Sequence, residues 1–320
     1  MNGRLPDPEC VARFRAGLAA LTGPAPGLLG VAVSGGPDSL ALLLLAHAAF
    51  PGDVRAATVD HRLRPESGAE AAFVGDVCAS LGVTHAALAA DAAIAGNIQA
   101  GARALRYRLL ADWAADEGIG WLLTGHHRDD QAETLLMRLQ RGAGLAGLAG
   151  IRPRIEMDGL KVVRPLLRWP RAELASLVGA AGIAAVRDPG NEDEHYDRAR
   201  LRRRLAATDW IDPAPLARSA EALGEADIAL EWSVERLIGE RVAAVRDGLA
   251  FDPADVPAEL RRRALLRLLA RLVPADPPRG EAVQRLLATL DAGDTATLAG
   301  VKCQGGAIWR FTAAPPRRGA

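Results

Sequence analysis

The stretch that most constrains this chain runs from Leu28 to Ala49. A short apolar run, Leu28 to Val33, meets the hexapeptide Ser34-Gly35-Gly36-Pro37-Asp38-Ser39 and then a helix-period segment from Ser39 to Ala49. The run reads as a strand, Gly-Gly-Pro as a tight loop and the Leu-rich segment as a helix. The hexapeptide thus lies where open α/β sheets bind ligands, outside the carboxyl end of a strand and at the start of a helix. Glycine lets backbone N–H groups approach an anion closely, and a helix start adds unpaired donors and partial positive charge. Phosphate is the guest this predicts. The loop lacks the G-x-x-x-x-G-K-S/T pattern of a Walker loop, and the only lysines of the chain, Lys161 and Lys302, lie far from it. The bland alternative is a glycine turn capped by Ser39.

The same alternation continues along the chain. Val54 to Val59 reads as a strand, Gly68 to Leu81 as a helix and Val83 to Leu88 as a strand. Ala100 to Asp116 then reads as a helix, Ile119 to Leu123 and Val162 to Leu166 as strands, and Arg171 to Ala181 as a helix stopping at Gly182. Alternation of this kind predicts an α/β fold, an open, mostly parallel twisted sheet with helices on both faces. From about Asp209 the spacing turns helical, in segments around Ala214 to Leu223, Ala226 to Val245, Ala258 to Leu272 and Glu281 to Leu290, with a short hairpin from Thr295 to Phe311. The expected division is a catalytic domain over residues 1–209 and a smaller, mainly helical domain over residues 210–320.

A second polar constellation, Thr124-Gly125-His126-His127-Arg128-Asp129-Asp130-Gln131-Ala132-Glu133-Thr134, follows another predicted strand. On a helix starting near Arg128, Asp129 and Glu133 share one face while Asp130 and Thr134 share the next. Carboxylates there suit Mg²⁺, and the two histidines suit zinc or a proton-transfer role. A polar helix cap is the plain alternative. Cys10, Cys78 and Cys303 are odd in number and far apart, which fits neither a disulfide framework nor a C-x-x-C pair and points to a reducing, cytoplasmic setting. The longest apolar run, around Leu40 to Leu45, is far short of a membrane span. Formal net charge is zero, so local arginine clusters matter more than the total.

Ser34 to Ser39 resembles the SGGxDS loop of the N-type ATP pyrophosphatases, the PP-loop superfamily. Within it the chain is similar to the tRNA(Ile)-lysidine synthase family from about Val31 to Leu205. Val59-Asp60-His61-Arg62-Leu63-Arg64 looks like that family's VDHxLR segment, and Asn97 to Tyr107 like its helix with Ala102-Arg103 and Arg106-Tyr107. Gly125 to Thr134 matches GHHxDDQxET, Arg141 to Leu148 matches RGxGLxGL, and Arg164-Pro165-Leu166-Leu167 and Asp188 to Arg204 continue the likeness. The resemblance implies that ATP is split between its α- and β-phosphates while lysine is ligated to C2 of the wobble cytidine of isoleucine tRNA with a CAU anticodon. That would change its reading from AUG to AUA. ATP and Mg²⁺ are the implied cofactors, and isoleucine tRNA and free L-lysine the implied partners. No membrane partner is expected, and a homodimer is allowed.

Carried onto this sequence, the resemblance implies ATP contacts from Ser34, Gly35, Gly36, Pro37, Asp38, Ser39, Asp60, His61 and Gly125. It implies metal contacts from Asp38 and Asp130, and catalytic roles for Asp38, His127, Asp129, Asp130 and Glu133, of which His127, Asp129 and Asp130 are equal candidates for the base that deprotonates lysine. Arg64, Arg103, Arg106, Arg141, Arg198, Arg202 and Arg203 are the expected RNA or substrate contacts. Ala199 departs from the family, which has asparagine there. Two arginine runs, Arg198 to Arg204 and Arg261 to Arg267, read either as RNA-binding faces or as solvated helix faces. Gly142 to Gly147 satisfies G-x-G-x-x-G but follows a helix, the wrong context for a dinucleotide fingerprint. The rival readings are a tRNA thiolase, for which no cysteine has a nearby partner, an amidotransferase-like ligase, and a catalytically silent RNA-binding module.

Overall fold

The computed structural model describes residues 5–60, 67–89, 98–157, 159–186, 197–274, 278 and 280–314. The first element, α1 (Pro8–Thr22), starts where Asp7 accepts hydrogen bonds from the backbone N–H groups of Glu9 and Cys10, with Pro8 in the first turn. There follow β1 (Leu29–Ala32), α2 (Pro37–Ala49), β2 (Val54–Asp60), α3 (Ser67–Leu81), β3 (Thr84–Ala89), α4 (Ile98–Asp116) and β4 (Trp121–Leu123). Next come α5 (Arg128–Gln140), α6 (Leu145–Leu148), β5 (Arg154–Met157), β6 (Leu160–Val163), α7 (Arg171–Ala180) and α8 (Asp197–Ala206).

Six strands form one sheet in the order β3-β2-β1-β4-β6-β5. All neighbours are parallel except β5, which runs antiparallel to β6 at the edge. Leu40, Leu42, Leu43, Leu44 and Leu45 of α2 are all buried, so this helix is apolar nearly all round and is covered on every side. Each such side chain stabilises the fold by about 2 kcal/mol. They join Phe14 and Leu18 of α1, Val74 and Val77 of α3, and Leu174 and Val178 of α7 in one core. A second core gathers Tyr107, Leu110 and Trp113 of α4 with Leu122 of β4 and Val162 of β6. Gly30 shows how tightly α4 lies: a Cβ there would come within 3.0 Å of the Trp113 ring.

The remaining elements are α9 (Pro213–Arg241), β7 (Val242–Val245), β8 (Gly248–Phe251), α10 (Ala258–Leu272), α11 (Gly280–Asp291), β9 (Thr295–Leu298), β10 (Val301–Gln304) and β11 (Trp309–Ala313). The chain divides into two compact units, Met1–Gly224 and Glu225–Ala320, so the boundary falls within α9. The second unit carries an antiparallel sheet in the order β7-β8-β11-β10-β9. Its core sets Phe251, Trp309 and Phe311 against Leu265, Leu268 and Leu286. The fold class is therefore an open α/β sheet with helices on both faces, followed by a smaller unit of helices and an antiparallel sheet.

Several elements differ in detail from the sequence reading. The expected strand at Val162 to Leu166 lies earlier, at β6, because Pro165 has no N–H to give a ladder. The helix expected to reach Val245 stops at Arg241, where β7 begins a hairpin with β8. The expected hairpin from Thr295 to Phe311 is the three-stranded part of the second sheet formed by β9, β10 and β11.

Candidate active site

In the large sheet β1 lies between β2 and β4, so the chain winds outward in opposite directions from β1 and β4. The crevice beyond the carboxyl ends of these two strands is the topological switch point, where such sheets bind ligands. Both polar constellations meet there. After β1, Gly35 adopts φ +82°, a conformation that favours glycine, and its carbonyl accepts from the N–H of Val186 at 2.9 Å. Gly36 precedes α2 with no side-chain cap, and Pro37 fills the first turn. Ser39 turns back instead. Its Oγ donates to the Gly36 carbonyl at 3.0 Å, accepts from the Ser34 N–H at 3.1 Å and lies 3.2 Å from Ser34 Oγ. The serines fix the loop's shape and leave the helix start open.

The β4 loop is pressed against it. A Cβ on Gly125 would lie 3.1 Å from the Asp38 carbonyl and the Ser39 nitrogen, so a side chain there would displace the first loop. His127 caps α5 reciprocally: its N–H donates to Asp130 Oδ2 at 3.0 Å, and the Asp130 N–H donates to His127 Nδ1 at 3.4 Å. With Nδ1 accepting, the neutral imidazole carries its hydrogen on Nε2, which faces Asp38 Oδ2 at 3.4 Å. That contact is an electrostatic pairing more than an aligned hydrogen bond, since Nε2 has no well-formed partner. Burial pushes the proton affinity of His127 down, but the contact with Asp38 and the charges of Asp130, Asp38 and Asp129 outweigh it and hold the imidazole above the ordinary histidine value.

Asp38 Oδ1 is buried and lacks a hydrogen-bond partner. A hard cation that keeps several waters and takes one or two carboxylates beside phosphate oxygens fits such an atom. Asp130, the other expected metal ligand, is bonded to two arginines. Its Oδ1 accepts from Arg198 Nη2 at 2.7 Å and Arg202 Nη2 at 3.2 Å. Burial raises its pKa, but His127, Arg198 and the His127 N–H hold it below the ordinary aspartate value. Among the described residues no three His, Cys, Asp or Glu side chains converge on a metal position, so the zinc alternative finds no cage there. Glu133 accepts from Arg198 Nε at 2.7 Å and Arg202 Nε at 2.6 Å. Asp129, a candidate base, also reaches the start of α7, its Oδ2 accepting from the Arg171 N–H at 3.0 Å.

Residues 15–208 match the PP-loop domain. A tRNA(Ile)-lysidine synthase of Novosphingobium aromaticivorans is 48% identical over 96% of this chain and 94% of its own. Another tRNA(Ile)-lysidine synthase, of Zymomonas mobilis, is 44% identical over 94% of this chain and 92% of its own. This chain belongs to the tRNA(Ile)-lysidine synthase family. Among solved structures, a U34-tRNA thiolase of Methanococcus maripaludis superposes with a TM-score of 0.55 at 18% identity, over 68% of this chain and 78% of that one, which is a likeness of fold.

The other residues singled out for this lysidine synthase family member are placed differently from one another. Asp60 ends β2, while His61 and Arg64 lie outside the described residues. Arg103 and Arg106 lie on α4, Arg103 with its Cζ 5.1 Å from the Tyr107 ring centre. Arg141, expected on RNA, pairs with Asp197 Oδ2 at 2.8 Å, whereas Arg203 is exposed on α8. Arg198 and Arg202, also expected on RNA, turn inward onto Asp130 and Glu133. The second arginine run is neutralised by its own unit: Arg263 bonds Asp227, Glu231 and Glu259, Arg262 bonds Glu259, Arg267 bonds Glu231, and Arg261 pairs with Asp291. Sequence reasoning left out of the site Gln131 and Arg138, which tie down the Gly-rich loop. Gln131 exchanges hydrogen bonds with the Ile151 backbone at 2.9 and 2.6 Å, and Arg138 donates to the carbonyls of Gly147 and Gly150 at 2.7 and 2.9 Å. Their signal was their spacing: Gln131 lies within the acidic turn and Arg138 two turns further along the same face of α5.

Proposed function

We propose that this enzyme ligates free L-lysine to C2 of the wobble cytidine of isoleucine tRNA with a CAU anticodon, splitting ATP to AMP and pyrophosphate. The observation that carries the reading is the junction of the two loops at the switch point, where Gly125 touches the Asp38–Ser39 backbone and His127 faces Asp38. In the first step the C2 oxygen attacks the α-phosphorus and pyrophosphate leaves. In the second the lysine ε-amine attacks C2, and AMP departs with that oxygen.

The open amides at the start of α2 suit the phosphate oxygens, on which charge grows as the first bond forms. Asp38, with one buried oxygen unpartnered, is the residue that would hold Mg²⁺, which when bound would offset the charge of departing pyrophosphate. Deprotonation of the amine falls to the turn from His127 to Asp130. His127, held above the ordinary histidine value by the carboxylates around it, is matched to proton transfer near neutrality. Thiolation in place of ligation would want an accessible, paired thiol, but burial pushes both Cys78 and Cys303 up to about 12.

The test is to incubate the pure protein with ATP, labelled lysine and isoleucine tRNA bearing CAU. Label should enter the RNA, with AMP and pyrophosphate formed in equal amounts. ADP with orthophosphate, or unlabelled RNA, would refute the reading. Asp38→Ala should lower the rate by about a thousandfold or more while circular dichroism stays native.

A further inference from the structure

Among the described residues, a buried cation beside this crevice has no carboxylate partner. Arg164 follows β6 and is 3% exposed. Its Nη1 donates to the Arg152 carbonyl at 2.5 Å, and its Nε has no hydrogen-bond partner. Among the described residues no carboxylate pairs with it. A guanidinium buried with neutral hydrogen-bond partners but no counter-charge is unfavourable, and an anion would relieve it.

Its surroundings agree. Tyr107 of α4 is buried and hydrogen-bonds Arg164, and Arg103, one turn earlier, lies over the same ring. Arg103 likewise has no carboxylate partner among the described residues. His126, in the turn after β4, sets its Nδ1 3.0 Å from Thr124 Oγ1. Burial lowers its pKa to about 4; Asp130 opposes this, while the charges of Arg164, Arg198 and Arg103 add to it. His126 is therefore neutral at pH 7. Three elements thus bring two guanidiniums without carboxylate partners among the described residues, a phenol and a neutral imidazole together, beside the turn where Asp38, Asp129 and Asp130 surround His127.

We propose that the cluster of Arg103, Tyr107, His126 and Arg164 seats the α-carboxylate of the free amino acid, with the amine end directed toward the acidic turn. The inference rests on the ligase reading given above. Depth selects the occupant. A guanidinium buried this far is within reach of a small carboxylate but not of a phosphodiester held in a polynucleotide backbone. The charge order, cationic seat beside anionic turn, matches a molecule with a carboxylate at one end and an amine at the other. Arg gives a planar fork for a carboxylate, which Lys does not.

The experiment compares L-lysine with cadaverine, which is lysine without its carboxylate. For the full chain and for Arg164→Gln and Arg103→Gln, the KM of lysine, the Ki of cadaverine and the KM of ATP are measured in the tRNA labelling assay. The KM of lysine should rise about ten- to hundredfold in the variants, with the Ki of cadaverine and the KM of ATP unchanged. Should Arg164→Gln fail to fold, as judged by thermal melting, the exposed Arg103→Gln decides alone. Parallel changes for lysine and cadaverine, or a rise confined to ATP, would overturn the carboxylate seat and leave the ligase reading intact. Failure of the unmutated protein to label RNA with lysine would overturn both.

Discussion

The two arginine-rich helices, α8 and α10, look alike in sequence and are used differently. In α10 the buried Arg263 is held by three carboxylates, with Asp227 also buried, so its charge is spent inside the second unit. In α8, Arg198 and Arg202 share Asp130 and Glu133, an acidic wall of the crevice beyond β1 and β4. The lesson is that a basic run is defined by its partners. One run is a structural bolt, and the other is bonded into the crevice wall through Arg198 and Arg202, with Arg200 paired to Asp197.

The contrast breaks most visibly at Arg263. Arg263→Met takes a buried guanidinium away from Asp227, Glu231 and Glu259 and should cost about 3–5 kcal/mol in denaturant unfolding of the full chain. A loss below about 1 kcal/mol would deny α10 its structural role. In α8 the effect should move from stability to rate. Arg202→Gln leaves Arg198 bonded to both carboxylates, so stability should fall by only about 1 kcal/mol while turnover drops about ten- to hundredfold. Equal percentage losses of fold and activity would erase the distinction.

Acid should find α10 first. The hydrogen bond from Arg262 holds Glu259 down at about 2. A carboxylate depressed in the folded state contributes stability that is complete above its unfolded value of about 4.3 and is lost as pH falls through the folded one. Unfolding monitored between pH 5 and about 2 should therefore lose stability in this window, and Glu259→Gln should flatten that part of the curve. The smallest effect concerns RNA. Arg204 is exposed at the end of α8, and Arg204→Ala should reduce the salt slope of tRNA binding by about 1, with Arg261→Ala leaving it unchanged. A reversed result would return the RNA to α10.

Much of the fold was legible because its signals are local. The β1 and β4 loops, α4, α7 and α10 follow from apolar runs, glycine turns and helical spacing near their observed limits. The sequence reading did not include α1, although Asp7 and Pro8 mark its start, because its apolar residues are interrupted by Arg13 and Arg15. Both arginines belong to packing contacts: Arg13 stacks on Trp169 and Arg15 on Phe50. Four-residue strands such as β5 and β7 are too short for a period to declare itself. Asp247-Gly248 was a readable turn before β8, but the apolar Val242 to Val245 continued a helical spacing just as well. The loops' residues were legible as a set. Their division of labour was not, because the commitment of Asp129 to α7 and of Arg198 and Arg202 to the acidic wall depends on elements distant in sequence.

The position of α7 has a consequence for how this crevice can work. Its first N–H is fastened to Asp129 on one wall, and the chain leaving it is fastened by Val186 to Gly35 on the other, while His127 and Gly125 close the gap between the walls. These links make a closed ring around the proposed nucleotide position. A ring cannot gape on one side without breaking a link, so the frame is preassembled for the triphosphate proposed to lie there, and whatever adaptation a bulky second substrate demands must come from parts of the chain that stand outside it.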